Sequence, residues 1–529
     1  MTKVNSSSAF ILAVLCLAVF QFSENTADPD LWGHVYYGEQ LVKTGKPTEV
    51  EVNSWTAYGQ PSFDHEYLGE AVFALAWLAL GGTGLLLLKI AVGLLTFDIA
   101  LSIAAKNLDE KYRLIAWAFG ALAIVEISFG FAARPQIFTA LSLAIEIWLL
   151  ARIHIGKWQW AFALPPLFAL WFNLHGGALA GSVLLFAAAG ATTAQYVLAK
   201  IAPAKTNLWW NETPASAVPV LWVAAIASAA AVVVNPHGFE LARWLIGSVL
   251  WLRPQIQEWN PTQLGWDHAA FFFCAGIAAV AFLFSRRPRE LWEMAVLAIL
   301  FLVAFRAVRN TPLFCVAALA LVPPHLADVV QRFRQHFRRF EQVFQSAEGQ
   351  KIVTILLAII VGGIITATFT LHKKHFWTME IPRSQYPVAA TQFIEQHGLR
   401  GNLLVFFDWG EMSIWNLPDS HVSIDGRLDS AYPANVITAH WNFYNAEPFD
   451  TNVLNLAKAD FALLPSHLAG ALALAKNDGW QPVYFDNLAV VLVKDPKQFP
   501  ELAGLKLPEQ GGLGAMQGRE AFPNQLPPQ

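Results

Sequence analysis

The chain has 529 residues, of which 55% are hydrophobic and only 14% charged, with a formal net charge of −4 and a mean hydropathy of +0.41. Soluble domains carry roughly a quarter charged residues, so the deficit excludes an ordinary soluble enzyme and places the chain in the polytopic membrane class. Outside one loop no basic block of the kind nucleic acid needs is present, so no nucleic-acid partner is expected. Cys16, Cys274 and Cys315 all lie inside apolar runs, the place of small core residues rather than of a disulfide framework or a metal site.

In chain order, the first apolar run, 9–23, follows Lys3 and resembles a signal peptide. No clean cleavage site follows it, and Asp28 and Asp30 come directly after, so it is read as an uncleaved first helix. Further spans are expected at 84–105, 113–131, 137–155, 160–173, 177–198, 217–234, 268–285, 290–305, 311–327 and 352–371, about eleven in all. The segment 67–82 is apolar but short and ends in Gly81-Gly82. Basic residues fix its role. Lys106, Lys111 and Arg113, then Arg152 and Lys157, Lys200 and Lys205, Arg286, Arg287 and Arg289, and the cluster from Arg332 to Lys351 fall in alternate loops. The positive-inside rule puts these loops and Lys3 in the cytoplasm. That parity holds only if 67–82 does not cross, so it is expected to lie on or dip into the outer leaflet.

The expected organisation is therefore a transmembrane domain over 1–373 with a long external loop at 24–83. An external α/β domain follows over 374–497, and a disordered Pro-, Gly- and Gln-rich tail over 498–529. The tail domain is read from strand-length runs such as Leu403–Phe407 and Phe461–Leu464, with helical stretches between them. The N-terminus is expected in the cytoplasm and the C-terminal domain outside the inner membrane.

On that parity the polar motifs all fall on the external side. Asp28 and Asp30 can share a divalent cation, or one can act as a base while the other tunes it. Capping of the next helix is an equally good account. Trp32, Tyr36 and Tyr37 suit interfacial anchoring or stacking on a sugar. Asp64, His65 and Glu66 can bind metal or relay protons, or can begin a helix as cap and first-turn acids. Arg134, Arg306 and Arg309 break the positive-inside pattern, and a guanidinium binds a lipid phosphate bidentately. Asn173 with His175, and Asn235 with His237, sit in glycine-containing turns, where a lone histidine is by default structural. Glu258 to Pro261 follows His237 in the same loop. Asp98, Glu126 and Glu146 lie within expected spans and are assigned no role.

The ordered set DPDLWGHVYYGEQLVKTGKP, SFDHEYLGEAVFALAWLALGGTGLL, ARPQIF, NLHGG, VNPHGFEL, QEWNP, FFDWGEMSIWNLP and SIDGRLDSAY resembles the bacterial GT-C superfamily of integral membrane glycosyltransferases. The resemblance extends to about residue 495. It departs from the pattern at Gly33, where a second Trp is common. It implies an α-helical polytopic membrane protein that transfers a sugar on the external face, with inversion. The donor is a polyprenyl-phosphate sugar and the acceptor a glycan, lipid or protein of the cell envelope. Asp30 becomes the candidate base, with Asp28 and Asp64 beside it. His34, His65, Glu66, Arg134, Asn173, His175, Asn235, His237, Arg306 and Arg309 become substrate-binding candidates. A divalent cation, held by Asp28, Asp30 and His65, stays open as a cofactor. The alternatives are a ligase or polymerase using a lipid-diphosphate donor, and a non-enzymatic lipid-carrier transporter. Transporters often carry internal repeats, and none is evident here.

Overall fold

The computed structural model describes residues 6–202, 210, 213, 215–251, 253–345, 352, 355–357, 359, 361–363, 366, 377–477, 479–506, 508–511 and 518–523. Helices in chain order are α1 (Ser6–Phe22), α2 (Leu31–Thr44), α3 (Tyr67–Lys106), α4 (Arg113–Phe129), α5 (Gln136–His154), α6 (Leu164–Leu174) and α7 (Ala178–Ile201). They continue with α8 (Ala217–Ala230), α9 (Phe239–Leu250), α10 (Ala269–Phe284), α11 (Leu291–Arg306), α12 (Thr311–Leu321) and α13 (Pro323–Gln345). In the C-terminal region they are α14 (Val388–Gln396), α15 (Gly410–Asn416), α16 (Ala434–Tyr444) and α17 (Ala469–Ala475).

The chain divides into two compact units. One comprises residues 1–24 and 88–376, the other residues 25–87 and 377–529. This boundary corrects the expected organisation: the long first loop belongs with the C-terminal region, not with the membrane helices.

The first unit is an all-helical bundle. Its centre is α12, where every residue from Phe314 to Val322 is buried; α4, α5 and α11 pack around it, while α7 packs on α8 and α11. Four helices are long and apolar enough to cross a membrane: Tyr67–Lys106, Glu110–Phe129, Gln136–His154 and Ala178–Ile201. The pair Val308–Leu321 and Pro323–Arg334, bent by 55°, makes a fifth if it is one span. The described residues thus supply four or five spans by length and composition, not eleven. Prolines account for part of the shortfall. Pro165 and Pro166 sit in the first turn of α6, and Pro323 and Pro324 open α13 at the bend, because proline cannot supply the N–H that a continuous helix needs. Most of the expected last span, 352–371, lies outside the described residues.

The second unit is built on a six-stranded sheet. Its strands are β2 (Gly401–Val405), β3 (Ser420–Val422), β4 (Phe461–Pro465), β5 (Gln481–Phe485), β6 (Ala489–Val493) and β7 (Glu509–Gln510), in the order β3-β2-β4-β6-β5-β7. Strand β2 runs parallel to β3 and β4, with Leu403 opposite Val422 and Phe461, and β6 is antiparallel to β4 and β5. A separate pair joins β1 (Glu380–Pro382) to β8 (Arg519–Ala521). The C-terminal α/β region is therefore as expected, but β7 and β8 lie in the stretch expected to be disordered.

Backbone pairing explains why the first loop joins this unit. Ala27 N donates to Glu380 O and Glu380 N to Asn25 O, both at 2.7 Å, so residues 25–27 extend the small pair. Val422 N donates to Asn53 O at 2.9 Å and Trp55 N to Val422 O at 3.1 Å, which adds residues 53–55 to the open edge of β3. An unpaired sheet edge recruits extended chain in this way.

Helix α3 breaks at Gly81 (φ 60, ψ −145), as the Gly81-Gly82 pair foretold. At Gly84 a Cβ would collide with Ala76 O, so the chain turns sharply where only glycine fits. The conformation at Gly81 is one that non-glycine residues adopt at a cost of about 1–3 kcal/mol. Gly81→Ala is expected to lower the thermal unfolding midpoint in detergent micelles. Gly190→Ala, in α7 with nothing within 4 Å of its Cβ position, is expected to leave the midpoint unchanged or to raise stability by up to about 1 kcal/mol. Equal effects of the two would mean that the Gly81 bend carries no strain.

Candidate active site in the second unit

Asp30 occupies the N-cap position of α2, but its side chain makes no capping hydrogen bond. Asp28 does the local work instead: its Oδ1 accepts the Asp30 N–H at 3.1 Å and its carbonyl accepts the Leu31 N–H at 3.0 Å. The Asp30 carboxylate turns toward the Asp425-Gly426-Arg427 segment. A Cβ on Gly426 would collide with Asp30 Oδ1 and stand 3.0 Å from Glu411 Oε1. Glu411, in the first turn of α15, is buried, and its Oε2 accepts the Gly33 N–H at 3.0 Å. A Cβ on Gly33 would strike the same carboxyl. Two glycines thus open the room in which two carboxyl groups meet. Gly33, read from sequence as a departure from the family pattern, is what lets Glu411 in.

Behind this pair lies Arg427. Its Nε and Nη2 bind Asp425 Oδ1 and Oδ2 at 2.9 and 2.6 Å, and Nη2 lies 2.6 Å from Glu51 Oε2. The guanidinium stands 4.4 Å from the Tyr37 ring centroid, and the Tyr432 hydroxyl donates to Asp425 Oδ2 at 2.7 Å. Glu51 Oε1 in turn accepts the N–H groups of Asn53 and Ser54 at 2.6 and 2.8 Å. Burial alone would push Asp425 up, but Arg427 and the Tyr432 hydroxyl outweigh it and hold the carboxyl below the usual range. For Glu51 burial prevails over Arg427, and its pKa is raised. One guanidinium therefore holds one firmly ionised carboxylate.

A second acidic group begins α3. Asp64 Oδ1 accepts the Glu66 N–H at 3.2 Å, His65 Nε2 lies 3.1 Å from Glu66 Oε1, and His34 Nδ1 lies 3.2 Å from Glu70 Oε1. Burial, reinforced by the charge of Glu70, pushes Asp64 well above the carboxylate range. For His65 burial acts downward, but Glu66 and Asp64 overcome it and the ring's pKa is raised. Among the described residues no three His, Cys, Asp or Glu side chains are grouped as metal ligands. Asp28, Asp30 and His65 are thus not gathered as such a group.

The other candidates lie in the first unit. Arg134 and Arg309 share Glu258, at 3.5 Å and 3.1 Å. Arg309 and Arg253 each stand over the Trp259 ring, at 4.5 and 4.7 Å. Arg306 is exposed and has no part in the contacts that join Arg134 and Arg309. Asn173 donates to Ala169 O and Val234 O at 2.5 and 2.7 Å. Trp171 Nε1 donates to Thr139 Oγ1 at 3.0 Å, and that hydroxyl lies 2.7 Å from His175 Nδ1, which also accepts the Gly177 N–H at 2.9 Å. Asn235 Oδ1 accepts the His237 N–H at 2.7 Å and its amide donates to Gly238 O at 3.1 Å. These bonds shape helix ends and turns. The expected motif residues therefore divide between the two units, with Asp28, Asp30, His34, Asp64, His65 and Glu66 in the second and Arg134, Asn173, His175, Asn235, His237, Arg306 and Arg309 in the first. Glu411 lies in the stretch FFDWGEMSIWNLP that carries the sequence resemblance, whereas Glu51, Glu70 and Arg253 were not singled out.

The fold has a likeness among solved structures. It is similar to the archaeal oligosaccharyltransferase AglB from Archaeoglobus fulgidus, solved in complex with an inhibitory peptide and a dolichol-phosphate. The TM-score is 0.54 at 13% identity, covering 87% of this chain and 69% of that one. No protein-family model and no curated protein matches the sequence.

Glu411 gives a pH test with a definite sign. Burial, aided by the charges of Asp30 and Asp425 and opposed by Arg427, holds its pKa well above the usual value. The folded protein then keeps a proton that the unfolded chain loses near pH 4.5. Stability from this group is complete below that pH and is lost as pH rises toward the folded pKa. Glu411→Gln removes the loss, so its melting temperature relative to wild type is expected to climb between pH 4 and 8. A constant difference would show that Glu411 is not held neutral. Arg427→Met strands the Asp425 carboxylate and is expected to destabilise the unit by about 3–5 kcal/mol, read as accelerated limited proteolysis of the C-terminal region.

Proposed function

We propose that this chain is a membrane glycosyltransferase that moves a sugar from a polyprenyl-phosphate donor to an acceptor hydroxyl on the external face of the inner membrane, with inversion. The reading rests above all on Asp30: an N-cap aspartate whose side chain is not spent on the cap and converges with a buried, proton-holding Glu411 on the Gly426 backbone. The likeness to an oligosaccharyltransferase fold is consistent with it.

An alcohol is a poor nucleophile near neutral pH, so a positioned carboxylate must take its proton as the new bond forms. Asp30 is that base. The acceptor oxygen bonds to the anomeric carbon from the face opposite the leaving group, and the carbon–phosphate-oxygen bond breaks. The polyprenyl phosphate departs with the bonding electrons, and no covalent sugar–protein intermediate is needed. Negative charge on the departing phosphate calls for fixed cations. In the first unit Arg134 and Arg309 are candidates, because a guanidinium binds a phosphate bidentately. Trp259 holds Arg309 in place through its ring face.

The testing experiment is transfer from a panel of radiolabelled polyprenyl-phosphate sugars in membranes, comparing wild type with Asp30→Asn at matched expression. Transfer from at least one donor, lowered by about 100-fold or more in the variant, is the expected result. Equal transfer by both proteins would remove Asp30 as the base. Transfer only from lipid-diphosphate donors would replace this reading with a ligase or polymerase.

A further inference from the structure

A cleft of about 270 Å³ opens in the second unit between α2 and the loop that follows it, lined by Tyr36, Gln40, Thr44, Lys46, Thr48 and Asn53. Its walls are fixed. Gly45, at φ 72, ends α2 in the left-handed region, and the Thr44 hydroxyl spans the turn, donating to Gln40 O at 2.8 Å and accepting the Lys46 N–H at 3.2 Å. Tyr36 stands edge-on to Tyr37 at 5.1 Å, and its hydroxyl reaches Asn53 Oδ1 at 3.4 Å. The Asn53 amide donates to the Tyr37 hydroxyl at 3.1 Å, and the far face of Tyr37 carries Arg427. The floor of the cleft is thus the back of the buried acid–arginine cluster, and it is organised before any ligand arrives.

The lining selects a chemical class. No carboxylate faces the cleft, since Glu51 turns inward to Arg427, so a cation finds no partner. One exposed lysine is a thin basis for an anion. The aliphatic side chains of the lining are Pro47 and Val52, and the rest of its apolar surface comes from the rings of Tyr36 and Tyr37 and the methyls and stems of polar side chains, a patchwork unlike a lipid-chain groove. What remains are amides and hydroxyls that both donate and accept, beside a half-exposed tyrosine ring. That is the complement of a hydroxyl-rich ring with apolar C–H edges.

We propose that this cleft binds a neutral oligosaccharide. Tyr36 lies six residues beyond Asp30 on the same helix, about 9 Å along its axis, within the span of a short oligosaccharide. The cleft is then an acceptor subsite, a role that rests on the reading of Asp30 as the base; the binding itself does not.

The test uses full-length protein in nanodiscs on a printed array of neutral and acidic oligosaccharides and short peptides. Wild type, Tyr36→Ala, Gln40→Ala and Asp30→Asn are compared. Retention of at least one neutral glycan by wild type, about tenfold weaker in Tyr36→Ala and Gln40→Ala at unchanged melting temperature, and unaltered in Asp30→Asn, is the expected result. If Tyr36→Ala does not fold, Gln40→Ala decides. Retention of no glycan, of acidic glycans or peptides alone, or equal retention by the cleft variants and wild type would overturn the assignment. Glycan binding without transfer from any donor would leave the cleft assigned and remove the proposed reaction.

Discussion

The second unit depends on one buried cation. A guanidinium can leave water only if its charge and its N–H groups are met, and Arg427 meets these needs with groups from three distant parts of the chain: Asp425 beside it, Glu51 from the first loop and the ring of Tyr37 on α2. Each partner imports a piece of structure. Glu51 fixes the turn at residues 51–54, which lets residues 53–55 pair with the edge of β3. Tyr37 orients α2. Because Gly426 sits between Asp425 and Arg427, the same ion pair also places the backbone against which Asp30 and Glu411 rest.

That arrangement separates two carboxyl groups by environment. Glu411 is buried and faces other acids, so it keeps its proton. Asp30 lies at a helix N-terminus and is half open to solvent. The division here needs no unusual backbone; it needs two missing Cβ atoms, at Gly33 and Gly426. In the first unit Arg134 and Arg309 meet at Glu258, and Arg253 and Arg309 stand over the Trp259 ring.

Local features were the legible ones. The acidic motif after α1, the break at Gly81-Gly82, the cluster at 64–66, and the strands near 403, 461 and 488 all follow from short-range pattern, and the salt bridge of Asp425 with Arg427 spans only two residues. What escaped was long-range. Glu411 reaches Gly33 across 378 positions, and nothing in the periodicity of either helix points to the other. The first loop was assigned to the membrane domain because hydropathy reads neighbours in sequence, whereas backbone pairing with β1 and β3 assigns it to the C-terminal unit. Among the described residues only four or five helices are long and apolar enough to cross, because an apolar run measures composition, whereas prolines at 165, 166, 323 and 324 mark where helices begin.

The histidine and asparagine turns argue for a general asymmetry. Asn173, His175 and Asn235 satisfy helix ends or turns with side-chain bonds of 3.1 Å or less, as backbone groups at such ends require. Asp30 is placed differently. It stands where an aspartate would ordinarily cap, yet Asp28, two residues earlier, makes the turn-closing bond, and the Asp30 carboxylate points to another part of the chain. Two aspartates in a D-x-D spacing therefore need not be a pair of ligands. Here one builds the turn, and by doing so releases the other from that duty.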